Sequence, residues 1–244
     1  GIRDRDVTGV QTCALPIYTA RMPVAPPSMT SSREPAPTLT DRLIGAFDQG
    51  LRALAGPRAA ARPSPAAAIP EPDLSAEERR QSAALMRVNH AGEIAAQALY
   101  HGQSLLARDA ATRRLLDTAA REERDHLAWC AERIEQLGGR SSVLDPLWYA
   151  GSFLIGVLAA TRDDATSLGF VNETERQVEA HLRDHLQRLP AHDGRSAAIL
   201  SQMAADEAHH GTTATLAGGI ELPEPIRRCM RIGGEVLRRV ALRG

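Results

Sequence analysis

The tetrapeptide ERDH at residues 123–126 and the tetrapeptide EAHH at residues 207–210 each place a glutamate three positions before a histidine. On a helix, positions i and i+3 lie on one face, so each pair can bind a single metal ion. Either motif alone indicates a metal site only weakly, because a glutamate and a histidine at this spacing often occur by chance on a solvated face. The residues around the two motifs therefore decide whether they belong to one site.

Each motif is preceded by a further glutamate at a similar interval. Glu93 lies 30 residues before Glu123 (123 − 93), and Glu175 lies 32 residues before Glu207 (207 − 175). A predicted turn between helices falls near the midpoint of each interval, so both carboxylates of a hairpin lie about 22 Å from the turn at ~1.5 Å per residue. One glutamate from each of two helices and a Glu-x-x-His motif from each of the other two is the pattern of ferritin-like di-iron carboxylate bundles.

Helix signals favour four long helices joined by short loops. Ser75, Asp109 and Asp193 are capping residues at predicted helix starts. Gly138 and Pro190 predict the ends of two of these helices. The sequence therefore predicts an all-α fold, a ferritin-like antiparallel four-helix bundle. Two further elements complete this prediction, an uncharged inter-helix segment at residues 146–160 and a short C-terminal helix at about residues 224–241.

The four glutamates lie on the apolar stripes of their helices, which predicts that they point into the bundle. Leu200 and Met203, for example, share the predicted face of Glu207. Core-facing carboxylates are unfavourable without compensation, because an unpaired buried charge costs on the order of several kcal/mol. Two divalent ions supply that compensation, and glutamate and histidine ligands with open positions suit iron and O₂ chemistry.

Two alternative ligand choices stay open. Asp206 and His209 repeat the Glu-x-x-His spacing one residue earlier, on a face that is less apolar. Glu179 lies one turn beyond Glu175 and is its rival on the same helix.

Six polar residues near the ligands are candidates for supporting roles. A ligand histidine usually donates its free ring N–H to a carboxylate, which is the role considered for the two aspartates, although an ordinary surface charge is the favoured interpretation for both. For the tyrosine, core packing is the favoured interpretation, and for the histidines an ordinary core or surface position is favoured. The candidates are His90, Tyr100, Asp125, Glu179, His181 and Asp206.

Composition limits the class of protein. The chain has 244 residues with 29 Lys+Arg against 30 Asp+Glu, so no basic excess suggests a nucleic-acid partner. Aromatic residues make up only 3% of the chain, which favours helix over a β-sandwich or barrel. The three cysteines, Cys13, Cys130 and Cys229, show no paired spacing, so we expect neither a disulfide framework nor a zinc knuckle.

The N-terminal part of the chain differs from the helical region in composition and pattern. Residues 1–22 do not fit the remainder of the sequence, and we expect them to be non-native. Residues 23–74 are rich in proline and alanine and are predicted to form an N-terminal segment and linker, with one amphipathic stretch from Leu39 to Leu54. The ferritin-like di-iron domain is predicted to span residues 75–244.

Four stretches of the chain resemble the bacterial demethoxyubiquinone hydroxylases of ubiquinone biosynthesis. They are MRVNHAGE at 86–93, EERDHL at 122–127, ETERQVEAHL at 173–182 and DEAHH at 206–210. The string NHAGE is more specific than any Glu-x-x-His motif, and the likeness extends over most of the chain. The resemblance implies that the iron ligands are Glu93, Glu123, His126, Glu175, Glu207 and His210.

The same resemblance implies an O₂-dependent di-iron monooxygenase with two iron ions per chain. Its substrate would be a polyprenyl benzoquinol, demethoxyubiquinol (2-polyprenyl-3-methyl-6-methoxy-1,4-benzoquinol), hydroxylated at its one unsubstituted ring carbon. The electron donor would be NADH or the reduced quinol itself. Other proteins of quinone biosynthesis are the expected protein partners.

A polyprenyl substrate requires contact with a membrane, and the uncharged segment at residues 146–160 is the predicted place of contact. It is shorter than the ~20 apolar residues that a spanning helix needs, and its Trp-Tyr pair suits the headgroup region. We therefore expect a peripheral protein at the cytoplasmic face of the bacterial inner membrane, with a buried crossover segment as the alternative. The predicted contacts are Trp148, Tyr149, Phe153, Leu154 and Ile155.

Two other functions fit a ferritin-like bundle that binds iron. One is a di-iron hydroxylase acting on a different substrate, such as a modified tRNA base, and the near-neutral charge argues against it. The other is non-enzymatic iron storage, for which an exposed apolar segment would be a liability.

Overall fold

The computed structural model describes residues 38–55 and 60–243, and the predicted non-native segment at 1–22 lies outside them. Within the described residues all regular structure is helical, which confirms the predicted all-α fold. The helices are α1 (Leu39–Ala55), α2 (Ala76–Leu106), α3 (Ala110–Gln136), α4 (Asp145–Ala160), α5 (Asp164–Arg188), α6 (Gly194–Leu216) and α7 (Glu224–Arg243).

Side-chain caps set the helix starts at the predicted positions. The Ser75 hydroxyl accepts a hydrogen bond from the backbone N–H of Glu78, and the Glu78 carboxylate accepts one from the Ser75 N–H at 2.8 Å. Asp109 and Asp193 cap α3 and α6 with their side chains. After α3, Gly138 adopts a φ of 73°, a left-handed conformation that glycine tolerates without strain. These caps fix where each helix begins. They therefore fix how far along its helix each Glu-x-x-His motif lies.

The bundle of α2, α3, α5 and α6 contains two apolar layers, and each helix contributes to both. One layer includes Met86, Cys130, Leu182 and Leu200. The other includes Tyr100, Leu116, Leu168 and Ala214. On each helix, these residues lie seven positions before or after the glutamate of the predicted site (on α2, 93 − 86 and 100 − 93). Seven positions correspond to about 10 Å of helix. The four glutamates therefore lie at one level between two apolar layers.

Residues 60–74 form an irregular segment, named the strap, that lies against α3 and α6. Ala66 and Leu74 of the strap are buried in the first apolar layer. Glu71 forms ion pairs with Arg133 at 2.9 Å and with Arg195 at 3.4 Å. The predicted linker thus contributes side chains to the core, while the domain boundary at residue 75 stays a prediction.

Helix α4 lies against α2 at two glycines. A Cβ atom at Gly102 would collide with the carbonyl oxygen of Phe153, and one at Gly156 would collide with that of Leu99. Glycine at both positions allows the two helix backbones to approach closely. This contact decides which face of α4 is turned toward the bundle.

We expect Gly156→Ala to lower the free energy of unfolding by about 1 to 3 kcal/mol, because the added methyl group overpacks this contact. Gly151→Ala is the matched control in the same helix, since nothing lies within 4 Å of its Cβ position. The control should be neutral or slightly stabilising, because alanine has the higher helix propensity. Urea denaturation followed by circular dichroism measures both changes, and equal losses of stability would contradict the close contact.

Candidate metal centre

The six predicted ligands lie together in the bundle interior, on four different helices. Their ligand atoms form two groups of four, and within each group all atoms lie within 4.8 Å of one another. The first group is Glu93, Glu123, His126 and Glu207. The second group is Glu123, Glu175, Glu207 and His210. All six residues are buried, with exposed fractions between 0% and 6%. That they bind metal stays a prediction.

Glu123 and Glu207 belong to both groups. Two metal ions held side by side would therefore have these two carboxylates between them, as in other two-metal sites. Each group adds one glutamate and one histidine of its own, Glu93 with His126 and Glu175 with His210.

Both motif histidines turn ring nitrogen Nδ1 toward the carboxylates. His126 Nδ1 lies 3.1 Å from Glu123 Oε2 and 3.3 Å from Glu207 Oε1. His210 Nδ1 lies 3.3 Å from Glu207 Oε2 and 3.3 Å from Glu123 Oε1. The candidate ligand atom of each histidine is therefore Nδ1.

The other ring nitrogen of each histidine is held by a carboxylate from the opposite motif helix. His126 donates from Nε2 to Asp206 Oδ2 at 2.9 Å, and His210 donates from Nε2 to Glu122 Oε2 at 2.5 Å. A donor bond at Nε2 leaves Nδ1 free for a metal ion and fixes the ring. Asp206 is one of the predicted supporting residues, whereas Glu122 is not. The sequence does hold a signal for Glu122, because both acids directly precede the glutamate of a motif.

Burial and mutual repulsion set the protonation of the cluster in the absence of metal. Burial raises the pKa of Glu93 and of Glu175 well above the usual value. A neighbouring carboxylate raises each further, Glu123 for Glu93 and Glu207 for Glu175. Burial opposes a charged His210, but hydrogen bonds to the same carboxylates raise its pKa to about 12. The metal-free cluster therefore retains protons, which bound divalent ions would displace.

The donor set fits divalent metal ions. Both carboxylate oxygens of Glu175, and one oxygen each of Glu93 and Glu207, are buried without a hydrogen-bond partner among the residues that the structure describes. A buried carboxylate is costly unless a cation or a proton compensates it. Carboxylates together with imidazoles are ligands that iron and related first-row metals accept. The cluster can therefore hold metal ions.

The other candidates belong to neither ligand group. Glu179, the rival of Glu175, is half-buried and pairs with Arg183 at 2.5 Å. His90 faces Asp145 of α4 at 3.3 Å. Tyr100 packs in the second apolar layer, where core packing stays the favoured interpretation.

Asp125 faces the strap rather than a ligand histidine. Its Oδ1 accepts a hydrogen bond from the Ala61 N–H at 2.6 Å, and its Oδ2 pairs with Arg62 Nε at 2.8 Å. Asp125 therefore bonds to the strap in place of the ligand histidine considered for it. The physical reason is its position two residues after Glu123, which turns it about 200° away from that ligand around the helix.

His181 and His185 of α5 share a single acceptor on α2. Their nitrogens Nε2 and Nδ1 lie 3.2 Å and 2.9 Å from Asn89 Oδ1. Burial lowers the pKa of His181 to about 3 and that of His185 to about 4, so both rings are neutral. His181 thus joins two helices of the bundle and does not contact a predicted ligand through these bonds.

We expect His185 to make the fold sensitive to acid. The unfolded histidine binds a proton near pH 6.5, whereas the pKa of folded His185 is about 4. The stability that comes from the neutral ring is therefore present above pH 6.5 and is lost on acidification, at about 1.4 kcal/mol per pH unit. His185→Gln keeps a donor for Asn89 and does not titrate, so urea denaturation at stepped pH should show a loss shallower by that slope. Parallel curves would contradict the lowered pKa.

Helix α4 presents an apolar face to solvent. Its exposed members, between 48% and 68% accessible, are Leu147, Leu154, Ile155 and Leu158. Trp148 and Phe153 are half-buried, and Tyr149 is buried with its hydroxyl 2.7 Å from His101 Nδ1. The predicted membrane contact therefore does not fit Tyr149. Among residues 38–55 and 60–243, no helix combines the length and apolarity that crossing a bilayer demands.

A four-helix bundle with two shared glutamates and two outer Glu–His pairs in its interior defines the ferritin-like di-metal carboxylate class. Comparison with known families identifies the chain more closely. The chain belongs to the family of the ubiquinone biosynthesis protein COQ7, whose family model matches residues 80–241.

Curated relatives match nearly their whole length. The chain is 57% identical over 206 residues to the 3-demethoxyubiquinol 3-hydroxylase of Cupriavidus necator. The aligned residues cover 83% of this chain and 99% of the relative. It is 54% identical over 216 residues to the protein of the same name from Ralstonia pickettii, covering 84% and 100%. A third relative of this name, from Nitrosomonas eutropha, is 55% identical over 201 residues, covering 82% and 97%.

Proposed function

We propose that this chain is a di-iron monooxygenase that hydroxylates the ring of demethoxyubiquinol in ubiquinone biosynthesis. The observation that carries the proposal is the pair of overlapping groups, because residues from four helices converge there and each group could hold a metal ion. The relatives named 3-demethoxyubiquinol 3-hydroxylase support the choice of substrate.

The two groups assign ligands to each ion. Glu93 and His126 would hold one ion, and Glu175 and His210 would hold the other. Glu123 and Glu207, which belong to both groups, would help to hold both ions. Bound iron supplies open coordination positions and electrons for O₂ activation, and the carboxylates tolerate the change in metal charge.

Residues of this chain orient the predicted ligands and exclude water from them. Asp206 and Glu122 fix the rings of His126 and His210 through Nε2, so that both Nδ1 atoms stay directed at the carboxylates. The apolar layers on either side of the glutamates exclude water from the cluster. Exclusion of water limits side reactions during hydroxylation. The reaction itself puts one oxygen atom of O₂ on the ring and reduces the other to water. This takes two protons and two electrons, with NADH or the reduced quinol as the electron donor.

A bacterial strain that lacks this gene tests the proposed substrate. We expect its quinone extract to accumulate the demethoxy intermediate, and we expect the wild-type chain to restore ubiquinone. The matched control is the Glu207→Ala chain, which lacks a shared ligand and should not restore it. Normal ubiquinone in the deletion strain would contradict the proposal. Loss of a modified tRNA base or of stored iron, with normal quinones, would instead support one of the two alternative functions.

We also propose that the protein binds the cytoplasmic face of the inner membrane through two neighbouring helices. Helix α1 lies beside α4, because Ala53 of α1 packs in one apolar cluster with Tyr149 of α4. The other face of α1 is apolar and open to solvent, as is the outer face of α4. The exposed residues of α1 are Leu43, Ile44, Phe47 and Leu51, at 49% to 70%. Apolar helix faces that lie in the headgroup region give peripheral binding and would bring the polyprenyl tail to the bundle. Partnership with other quinone-biosynthesis proteins stays a prediction from the resemblance.

We expect glutamates on the exposed face of α4 to release the protein from lipid. Leu154→Glu combined with Leu158→Glu removes two exposed apolar side chains, so the fraction bound to vesicles should fall at least about ten-fold. Leu216→Glu is the matched control, because Leu216 is 84% exposed but belongs to α6. Flotation with phosphatidylglycerol-containing vesicles measures binding. A wild-type protein that stays unbound would contradict the membrane proposal and leave the metal centre untouched.

A further inference from the structure

The strap contributes a cation to the metal centre. Arg62 Nε lies 2.8 Å from Asp125 Oδ2, and its Nη1 lies 2.9 Å from Asp206 Oδ2. Its Nη2 lies 3.4 Å from Nε2 of His126. Arg62 therefore touches both a predicted ligand histidine and the carboxylate that holds this histidine in place.

Several contacts fix Arg62 in this position. The guanidinium carbon lies 4.9 Å from the centre of the Trp129 ring, and the Arg62 carbonyl accepts a hydrogen bond from Trp129 Nε1 at 3.3 Å. The preceding residue, Ala61, donates its N–H to Asp125. Arg62 is thus held through its backbone, its ring contact and two carboxylates, as a planar guanidinium can be. A side chain fixed in this way can limit the movement of the Asp206 carboxylate.

The second half of the centre is built differently. Glu122, which accepts from His210, has a side chain that is 42% exposed, whereas the side chain of Asp206 is 17% exposed. Among the described residues no arginine or lysine forms an ion pair with Glu122. His126 therefore bonds to an acid that is itself held by an arginine, whereas His210 bonds to an acid that is open to solvent.

We propose that Arg62 is a positioning residue that fixes Asp206, and through it the ring of His126, so that the strap strengthens one of the two metal positions. The inference rests on the proposed metal centre. The family model matches residues 80–241, and the strap lies before them. The inference therefore gives a role in the metal centre to a segment that the family model does not cover. Residues that orient a metal ligand typically contribute about 10- to 100-fold to metal affinity.

Calorimetric titration of the metal-free protein with Co²⁺ tests this role. We expect the wild type to bind two ions, and Arg62→Met to bind one of them about 10- to 100-fold more weakly with the other unchanged. Methionine keeps an apolar stem against Trp129. Arg62→Lys keeps the charge but not the planar fork, so it should recover only part of the affinity. Glu71→Gln loosens the far end of the strap without touching Arg62, and both affinities should stay at the wild-type level.

The outcomes separate this role from the proposed function. If the wild type binds no Co²⁺, the metal centre fails and the role of Arg62 fails with it. If the wild type binds two ions and Arg62→Met binds both equally well, only the positioning role is overturned. An equal loss in Glu71→Gln also overturns it, because the strap would then act by packing alone. If Arg62→Met does not fold, the optical spectrum of bound Co²⁺ in Arg62→Lys decides. A changed band for one ion supports the role, and an unchanged spectrum with unchanged affinities overturns it.

Discussion

Replacing Glu207 by alanine should abolish hydroxylation and the binding of both metal ions, whereas replacing Glu175 should remove only one ion. Glu207 belongs to both ligand groups, and Glu175 belongs to one. Loss of Glu207 also removes the carboxylate oxygens that lie 3.3 Å from Nδ1 of His126 and 3.3 Å from Nδ1 of His210. The loss of metal affinity should therefore exceed the about 10- to 100-fold that a supporting residue contributes.

Iron analysis and Mössbauer spectra of purified protein measure this difference. We expect two irons per chain in the wild type, one in Glu175→Ala and almost none in Glu207→Ala. The matched control is Glu179→Ala, one turn further along α5, whose carboxylate pairs with Arg183 outside the cluster. It should keep both irons. Equal iron content in the Glu207 and Glu175 variants would contradict the assignment of shared and unshared ligands.

The bundle and the level of its glutamates are predictable because helical geometry is regular. A cap at Asp109 or Asp193 and a glutamate a fixed number of residues away determine the height of that glutamate. Residues seven positions away, such as Met86 and Tyr100, are almost two full turns distant and so lie on the same face. Periodicity therefore predicts the apolar layers and the common level of the glutamates, whereas the full set of six ligands is what the resemblance implies.

Contacts between segments are harder to predict, because they depend on how elements turn toward one another. The proline-rich composition of the strap gives no sign that Arg62 reaches two aspartates on different helices. Tyr149 belongs to an uncharged segment, yet the contact of Gly102 and Gly156 turns it inward and leaves Leu154 outside. Such outcomes depend on tertiary packing, which the pattern of one segment does not contain.

Replacing Glu175 by methionine should stabilise the metal-free protein and destabilise the metal-loaded one. Both oxygens of Glu175 are buried without a hydrogen-bond partner in the described part of the chain. A buried polar group without a hydrogen bond costs about 1 to 3 kcal/mol, and an apolar side chain of similar volume does not carry that cost. In the loaded protein the same carboxylate binds an ion, and an ion present at 100 times its dissociation constant stabilises the fold by about 2.7 kcal/mol. Methionine forfeits that contribution, so the sign of the effect should reverse.

The pH dependence identifies the cause of the stabilisation. Burial raises the pKa of Glu175 in the folded protein well above its ordinary value of 4.5, so the metal-free wild type loses stability as pH rises from 4.5 through the raised pKa. Methionine does not titrate, and the advantage of Glu175→Met should therefore grow with pH in this window. Urea denaturation with and without Fe²⁺ under anaerobic conditions measures both effects, with Glu179→Met as a control that changes little in either state. An advantage independent of pH would show that the gain comes from apolar packing, and a loss of stability in the metal-free protein would show that the carboxylate is not destabilising there.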